Sequence, residues 1–147
     1  MGTALVTGAT SGIGEEFCWQ LAAAGHDLVL VARREDALAA LAASLANVAG
    51  VRAEVIAADL STEAGCARVA ARLDVGGPAD TEKPDVRPVD LLVNNAGFGL
   101  GSAFLDNSLE NEINGLNVMV RAVMTLAHHA GISMRSRGRG AILNVGS

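Results

Sequence analysis

Apolar residues along this chain follow two alternating rhythms. Thr3–Thr7, Leu28–Ala32, Leu91–Val93 and Ala141–Val145 are short, almost continuously apolar runs, the pattern of strands buried on both faces. Val51, Ala53, Val55 and Ala57 alternate as one further strand, which ends at Asp59. Between these runs the spacing becomes helical. Ile13, Phe17, Leu21 and Ala24 mark a first helix stopped by Gly25, and Leu38, Leu41, Leu45 and Val48 a second closed by Gly50. Ser61 and Thr62 are candidate caps for a third helix carrying Cys66, Val69 and Leu73. Leu109, Ile113, Leu116, Val120, Val123 and Ala127 stripe one face of a long fourth helix.

Five strands separated by four helices predict an α/β fold, a doubly wound parallel sheet covered on both faces. The segment Asp74–Val89, with adjacent glycines and three prolines, reads as a mobile surface loop. It is expected to be an insertion within a single domain, 1–147, rather than a boundary. No internal repeat is visible.

Half of the residues are hydrophobic and 18% are charged, a globular composition rather than a disordered one. The net charge of −5 and an aromatic content of 3% argue against a nucleic-acid partner. No stretch approaches the roughly 18 uninterrupted apolar residues of a membrane helix. The first strand and its glycine turn begin too early for a signal peptide, so the cytoplasm is the expected location. Cys18 and Cys66 share no metal-ligand or redox spacing and are expected to be small buried hydrophobes; no metal site is expected.

The turn that follows the first strand reads Thr7-Gly8-Ala9-Thr10-Ser11-Gly12-Ile13-Gly14. Free N–H groups at a helix start face an anion, the helix dipole favours negative charge there, and glycine allows the backbone to approach a pyrophosphate. No Gly-Lys-Ser/Thr follows, which excludes a P-loop hydrolase. The G-x-x-x-G-x-G spacing resembles that of the short-chain dehydrogenase/reductase family, and four further motifs agree in order. They are Asp59-Leu60, Asn94-Asn95-Ala96-Gly97, Asn117 within Leu116-Asn117-Val118, and the strand Gly140–Ser147.

The resemblance implies a Rossmann-like sheet in the order 3-2-1-4-5, truncated here after its fifth strand, with a nicotinamide cofactor across the carboxyl ends of strands one and four. The implied cofactor contacts are Gly8, Thr10, Ser11, Gly12, Ile13, Gly14, Arg33, Arg34, Asp59, Leu60, Asn95, Ala96 and Gly97. Strand two ends in Val31-Ala32-Arg33-Arg34-Glu35, with Ala32 where NAD-preferring members carry an acid. Arg33 is suited to a 2′-phosphate, so NADP(H) is expected to be preferred over NAD(H).

The family interconverts alcohols and carbonyls with a tyrosine proton donor, a lysine, a serine and an asparagine on helix four. Asn117 and Ser147 fall at the last two positions, whereas the sequence contains no tyrosine and its only lysine is Lys83. Dinucleotide binding without turnover is therefore expected of this chain, with an alcohol or ketone as the substrate class of the complete enzyme. His26, His128 and His129 are not expected to substitute in acid–base chemistry; the histidine pair should lie near the end of helix four, facing solvent. A non-catalytic nucleotide sensor or interaction module is the alternative. Homo-oligomers would form through the apolar stripe of helix four or the exposed edge of strand five.

Overall fold

The computed structural model describes residues 2–80 and 85–146, so Lys83 and Ser147 lie outside the described residues. Five strands, β1 (Thr3–Thr7), β2 (Asp27–Ala32), β3 (Ala53–Ala57), β4 (Val89–Asn94) and β5 (Ala141–Asn144), pair in the order β3-β2-β1-β4-β5. Every pairing is parallel, as the apolar runs imply. The helices are α1 (Gly12–Ala23), α2 (Glu35–Ala49), α3 (Glu63–Leu73), α4 (Leu109–Leu116) and α5 (Ala122–Arg137).

Successive residues of a strand face opposite sides. Ala4, Val6, Leu28 and Leu30 pack on Cys18 and Ala22 of α1 and on Leu38, Leu41 and Leu45 of α2. Leu5, Val29 and Val31 pack on Cys66, Val69 and Leu73 of α3 and on Ala122, Leu126, Ala130 and Met134 of α5. Both faces of the central strands are thus covered, which is why their sequences are continuously apolar. The chain winds outward from β1 through β2 to β3, then restarts at β4 on the other side of β1. That reversal leaves a crevice between the carboxyl ends of β1 and β4.

Local chemistry sets the helix ends. Gly50 closes α2 in the left-handed region at φ 69°, and Gly138 closes α5 at φ 75°. Of the two candidate caps for α3, Thr62 is the one used: its hydroxyl accepts from the Gly65 N–H at 3.0 Å.

Three sequence expectations need correction. The single long fourth helix is α4, a π turn (Asn117–Arg121) and α5 in succession. Its predicted stripe also points the other way: Leu109, Ile113, Leu116 and Val120 are exposed, while Val118, Ala122, Leu126, Ala130 and Met134 are buried. Both stripes are apolar and both fit a helical period, so periodicity alone does not say which faces the sheet. The histidine pair sits mid-way along α5 rather than near its end, and His129 is not simply solvent-facing. Its Nδ1 lies 2.8 Å from the Asp74 carboxylate, bracing α5 against the end of α3. The described parts of Asp74–Val89 form no helix or strand before Val89, in keeping with the loop reading, and they are tied down at both ends. Val75 is buried, Ser133 Oγ donates to the Val75 carbonyl, Arg72 donates to that of Arg87, and Val89 already belongs to β4.

β5 is the open edge on the β4 side, and Ile142, Leu143 and Val145 are 39%, 41% and 37% exposed.

Candidate functional site

Two turns meet at the crevice, and one side chain joins them. Thr7, the last residue of β1, donates its hydroxyl to the Val93 carbonyl at 3.4 Å. The same oxygen accepts from the backbone N–H of Asn95 and of Ala96, each at 3.0 Å. One hydroxyl thereby uses its donor and both lone pairs. In return the Asn95 amide donates to the carbonyls of Thr7 and Gly8, at 3.2 and 3.4 Å. Asn94 braces the other side, donating to Asn144 Oδ1 of β5 at 3.0 Å.

The glycine turn rises from this brace. Gly8 stands at φ 65°, a left-handed conformation that disfavours a side chain. A Cβ on Gly14 would overlap the Gly8 carbonyl oxygen, so only glycine lets α1 start this close to β1. A Cβ on Gly12 would meet nothing within 4 Å. Ser11 takes the N-cap position of α1 in an extended conformation, yet its side chain makes no capping bond. The first N–H groups of α1 therefore keep their hydrogen-bonding capacity for an anion.

Above the turns lies a cavity of about 820 Å³. Gly8, Thr10 and Ser11 line it from the glycine turn; Ala96, Gly97 and Phe98 line it from the end of β4. Arg33 and Arg34, exposed at the end of β2, and Asp59 and Leu60 after β3 complete the far side. Neither guanidinium has a hydrogen-bond or ion-pair partner among the described residues. Asp59 Oδ1 accepts from the Ser61 hydroxyl at 2.7 Å and from the Ser61 N–H at 2.9 Å. Those bonds, with a smaller contribution from the Arg33 cation, hold the Asp59 carboxyl below the ordinary carboxylate range.

The sequence-predicted residues divide into two groups. Nine of them line the cavity: Gly8, Thr10, Ser11, Arg33, Arg34, Asp59, Leu60, Ala96 and Gly97. Gly12, Ile13, Gly14 and Asn95 do not; Gly14 and Asn95 shape the turns from beneath, and Ile13 is 61% exposed. Asn117 opens the π turn and is likewise absent from the lining, and Ser147 lies outside the described residues. Sequence reasoning missed Ser61, Phe98, Asn111, Asn114 and Val118. The last three form a stripe with helical spacing, a signal hidden beside the stronger apolar stripe of the same helix.

The donor set is that of an anion and base site rather than a metal centre. Among the described residues no group of three or more His, Cys, Asp or Glu could hold a metal ion. The residues fit a dinucleotide: Ser11 at the N-cap of α1, two guanidinium groups without a partner among the described residues at the end of β2, and an oriented carboxylate after β3 line one crevice, and the helix N–H groups just beyond Ser11 carry no side-chain cap.

Residues 2–147 match the family model for short chain dehydrogenase. The chain is 36% identical over 146 residues to a very-long-chain 3-oxoacyl-CoA reductase of Laccaria bicolor, covering 98% of this chain and 40% of that protein. It superimposes on a short-chain dehydrogenase from Sphingobium yanoikuyae in complex with NADPH with a TM-score of 0.89 and 37% identity, covering 100% of this chain and 54% of the other. L-sorbose reductase from Gluconobacter frateurii, complexed with NADPH and L-sorbose, gives a TM-score of 0.83 at 34% identity, covering 97% and 51%. The chain spans about half the length of the proteins it matches.

Proposed function

The chain belongs to the short-chain dehydrogenase family, and on that footing we propose that it is the NADP(H)-binding part of an oxidoreductase interconverting alcohols and carbonyls. The observation that carries the proposal is that Ser11, the N-cap of a helix with no side-chain cap bond, lines one cavity with Arg33 and Arg34, which have no partner among the described residues. On this reading, the backbone N–H groups from Gly8 to Gly14, with Thr10 and Ser11, hold the pyrophosphate. Arg33, assisted by Arg34, takes the 2′-phosphate, where a planar guanidinium offers paired donors. Asp59 and Leu60 hold the adenine, and Ala96 and Gly97 wall the cavity towards the nicotinamide.

When bound, the cofactor supplies hydride chemistry at its nicotinamide ring. Asn117 and Ser147 stand at family positions for the reaction, but the sequence contains no tyrosine to donate the proton. The chain by itself therefore binds the dinucleotide without turning over a ketone. The net charge of −5 supports a partner set without nucleic acid. Two free, buried cysteines support a reducing, cytoplasmic setting, and no helix among the described residues is long and apolar enough to cross a membrane. A second copy of the chain would pack on the exposed stripe Leu109, Ile113, Leu116 and Val120 or on the open edge of β5.

Calorimetric titration with NADPH and NADH tests the cofactor assignment. NADPH is expected to bind about 10- to 100-fold more tightly, the scale of a charge-assisted contact, and Arg33→Ala is expected to erase most of that preference. Equal affinity for both cofactors in the parent chain would sink the proposal.

A further inference from the structure

Two asparagines on α4 line the same cavity, one turn apart, and their amides are in opposite states. Asn111 is spent as a donor: its amide nitrogen donates to Asn107 Oδ1 at 2.9 Å and to the Leu100 carbonyl at 3.4 Å. Asn114, half-buried in the cavity wall, makes no side-chain hydrogen bond among the described residues. It keeps both a donor and an acceptor. An amide side chain left free in a cavity wall can meet a ligand edge that presents an acceptor beside a donor.

The position of Asn114 identifies the end of the cavity that it serves. Asn114, Val118 and Arg121 follow one another with helical spacing, and Arg121 donates to the Ser61 carbonyl at 3.1 Å. The stripe therefore runs along the Asp59–Ser61 turn rather than towards the open edge at β5. Leu60 and Val118 supply apolar surface at this end, and Asp59 supplies an acceptor. Ser61 occupies Asp59 Oδ1 twice and leaves Oδ2 without a partner among the described residues.

Adenine carries a 6-amino donor next to a ring-nitrogen acceptor, the pattern an asparagine amide matches with two bonds side by side. Along the edge formed by the 6-position and N7, a 6-oxo purine presents two acceptors, which one amide cannot match even by turning over. We propose that Asn114 is a specificity-determining residue that reads the 6-amino edge of the dinucleotide's purine, with Asp59 as a second acceptor for the same amino group. The inference rests on the cofactor reading above and assigns its base selectivity to a residue of α4.

The test compares binding of NADPH and of its hypoxanthine analogue, in which oxygen replaces the 6-amino group, to the full chain by calorimetry. The parent is expected to favour NADPH by roughly 10- to 100-fold, the discrimination expected of one bidentate base contact. Asn114→Leu, close in volume but without the amide, is expected to bring that ratio down to that of the Asp59 contact alone, a several-fold drop. Its affinity for the hypoxanthine analogue should be nearly unchanged. Asn114→Ala removes the amide without adding bulk and serves where the leucine variant melts early. An unchanged NADPH-to-analogue ratio in the folded variants overturns the role of Asn114 while leaving the cofactor reading intact. A parent chain that binds neither dinucleotide overturns both.

Discussion

Thr7 and Asn95, 88 positions apart in sequence, hold each other through reciprocal bonds: the Asn95 N–H to the Thr7 hydroxyl at 3.0 Å, and the Asn95 amide to the Thr7 carbonyl at 3.2 Å. This exchange welds the two crevice turns into one unit before any ligand arrives. Thr7→Val keeps the shape but leaves the Asn95 and Ala96 N–H groups without their acceptor. The expected loss is about 2–6 kcal/mol, from one to three for each stranded donor. Thr7→Ser retains the hydroxyl and is expected to lose far less. Urea unfolding of the two variants checks this, and equal midpoints would show that the hydroxyl does not hold the turns together.

Glycines in this chain serve different ends, and alanine substitution should separate them. A Cβ on Gly14 meets the Gly8 carbonyl, so Gly14→Ala pushes α1 away from β1. Overpacking of this kind costs about 1–3 kcal/mol, and here it also displaces the N–H groups proposed to hold the pyrophosphate. Gly131 lies inside α5, where a Cβ would meet nothing within 4 Å, and Gly131→Ala is expected to stabilise by up to about 1 kcal/mol. Thermal melts of both variants with and without NADPH would show opposite signs. A Gly14→Ala protein as stable and as NADPH-responsive as the parent would refute the close-packing role.

The strands and the turns were legible because their signals are local, whereas the sheet order followed only from the family resemblance. A glycine at a fixed offset after a buried strand, or Asn-Asn-Ala-Gly after another, records a backbone requirement at that position. Asn95 illustrates the limit: its motif was readable, yet its side chain braces Thr7 and Gly8 instead of lining the cavity. The helix stripe illustrates another. Leu109, Ile113 and Leu116 are apolar and periodic but exposed, whereas the small residues Ala122 and Ala130 face the sheet. Hydrophobicity marks a face without naming its partner. Asn111 and Asn114 were invisible for a related reason: a polar pair on a helix reads as solvated until the fold sets a cavity against it.

Ser61 should govern the titration of Asp59. Its hydroxyl and N–H bond the ionised carboxylate, so the folded-state pKa lies below the unfolded value. The associated stabilisation is present above the unfolded carboxylate value and is lost as pH falls through the lowered folded one. Asp59 is exposed, so its share of global stability is small and the local titration is the better readout. Ser61→Ala is expected to raise the Asp59 midpoint towards the ordinary carboxylate value, followed by carboxyl-carbon NMR. NADPH affinity in the variant should then begin to fall at a higher pH on acidification. Identical Asp59 midpoints in parent and variant would show that Ser61 does not set the ionisation.

The two thiols report on the helices that carry them. Cys18 of α1 is fully buried, and burial, with the nearby Glu15 carboxylate, pushes its thiol up to about 12; burial also raises that of Cys66 in α3. Thiolate is the reactive form, so native Cys18 at pH 8 is unreactive twice over, by exclusion of reagent and by a thiolate fraction of about 10⁻⁴. Labelling by iodoacetamide then requires α1 to open. The first turn of α1 borders the proposed pyrophosphate site, so opening and dinucleotide binding are mutually exclusive. At a hundred times its dissociation constant, NADPH is expected to slow Cys18 labelling by about 100-fold. Mass spectrometry resolves the two sites, and rapid native labelling of Cys18 would contradict its burial. A Cys18 rate that NADPH leaves unchanged would place the dinucleotide somewhere other than the start of α1.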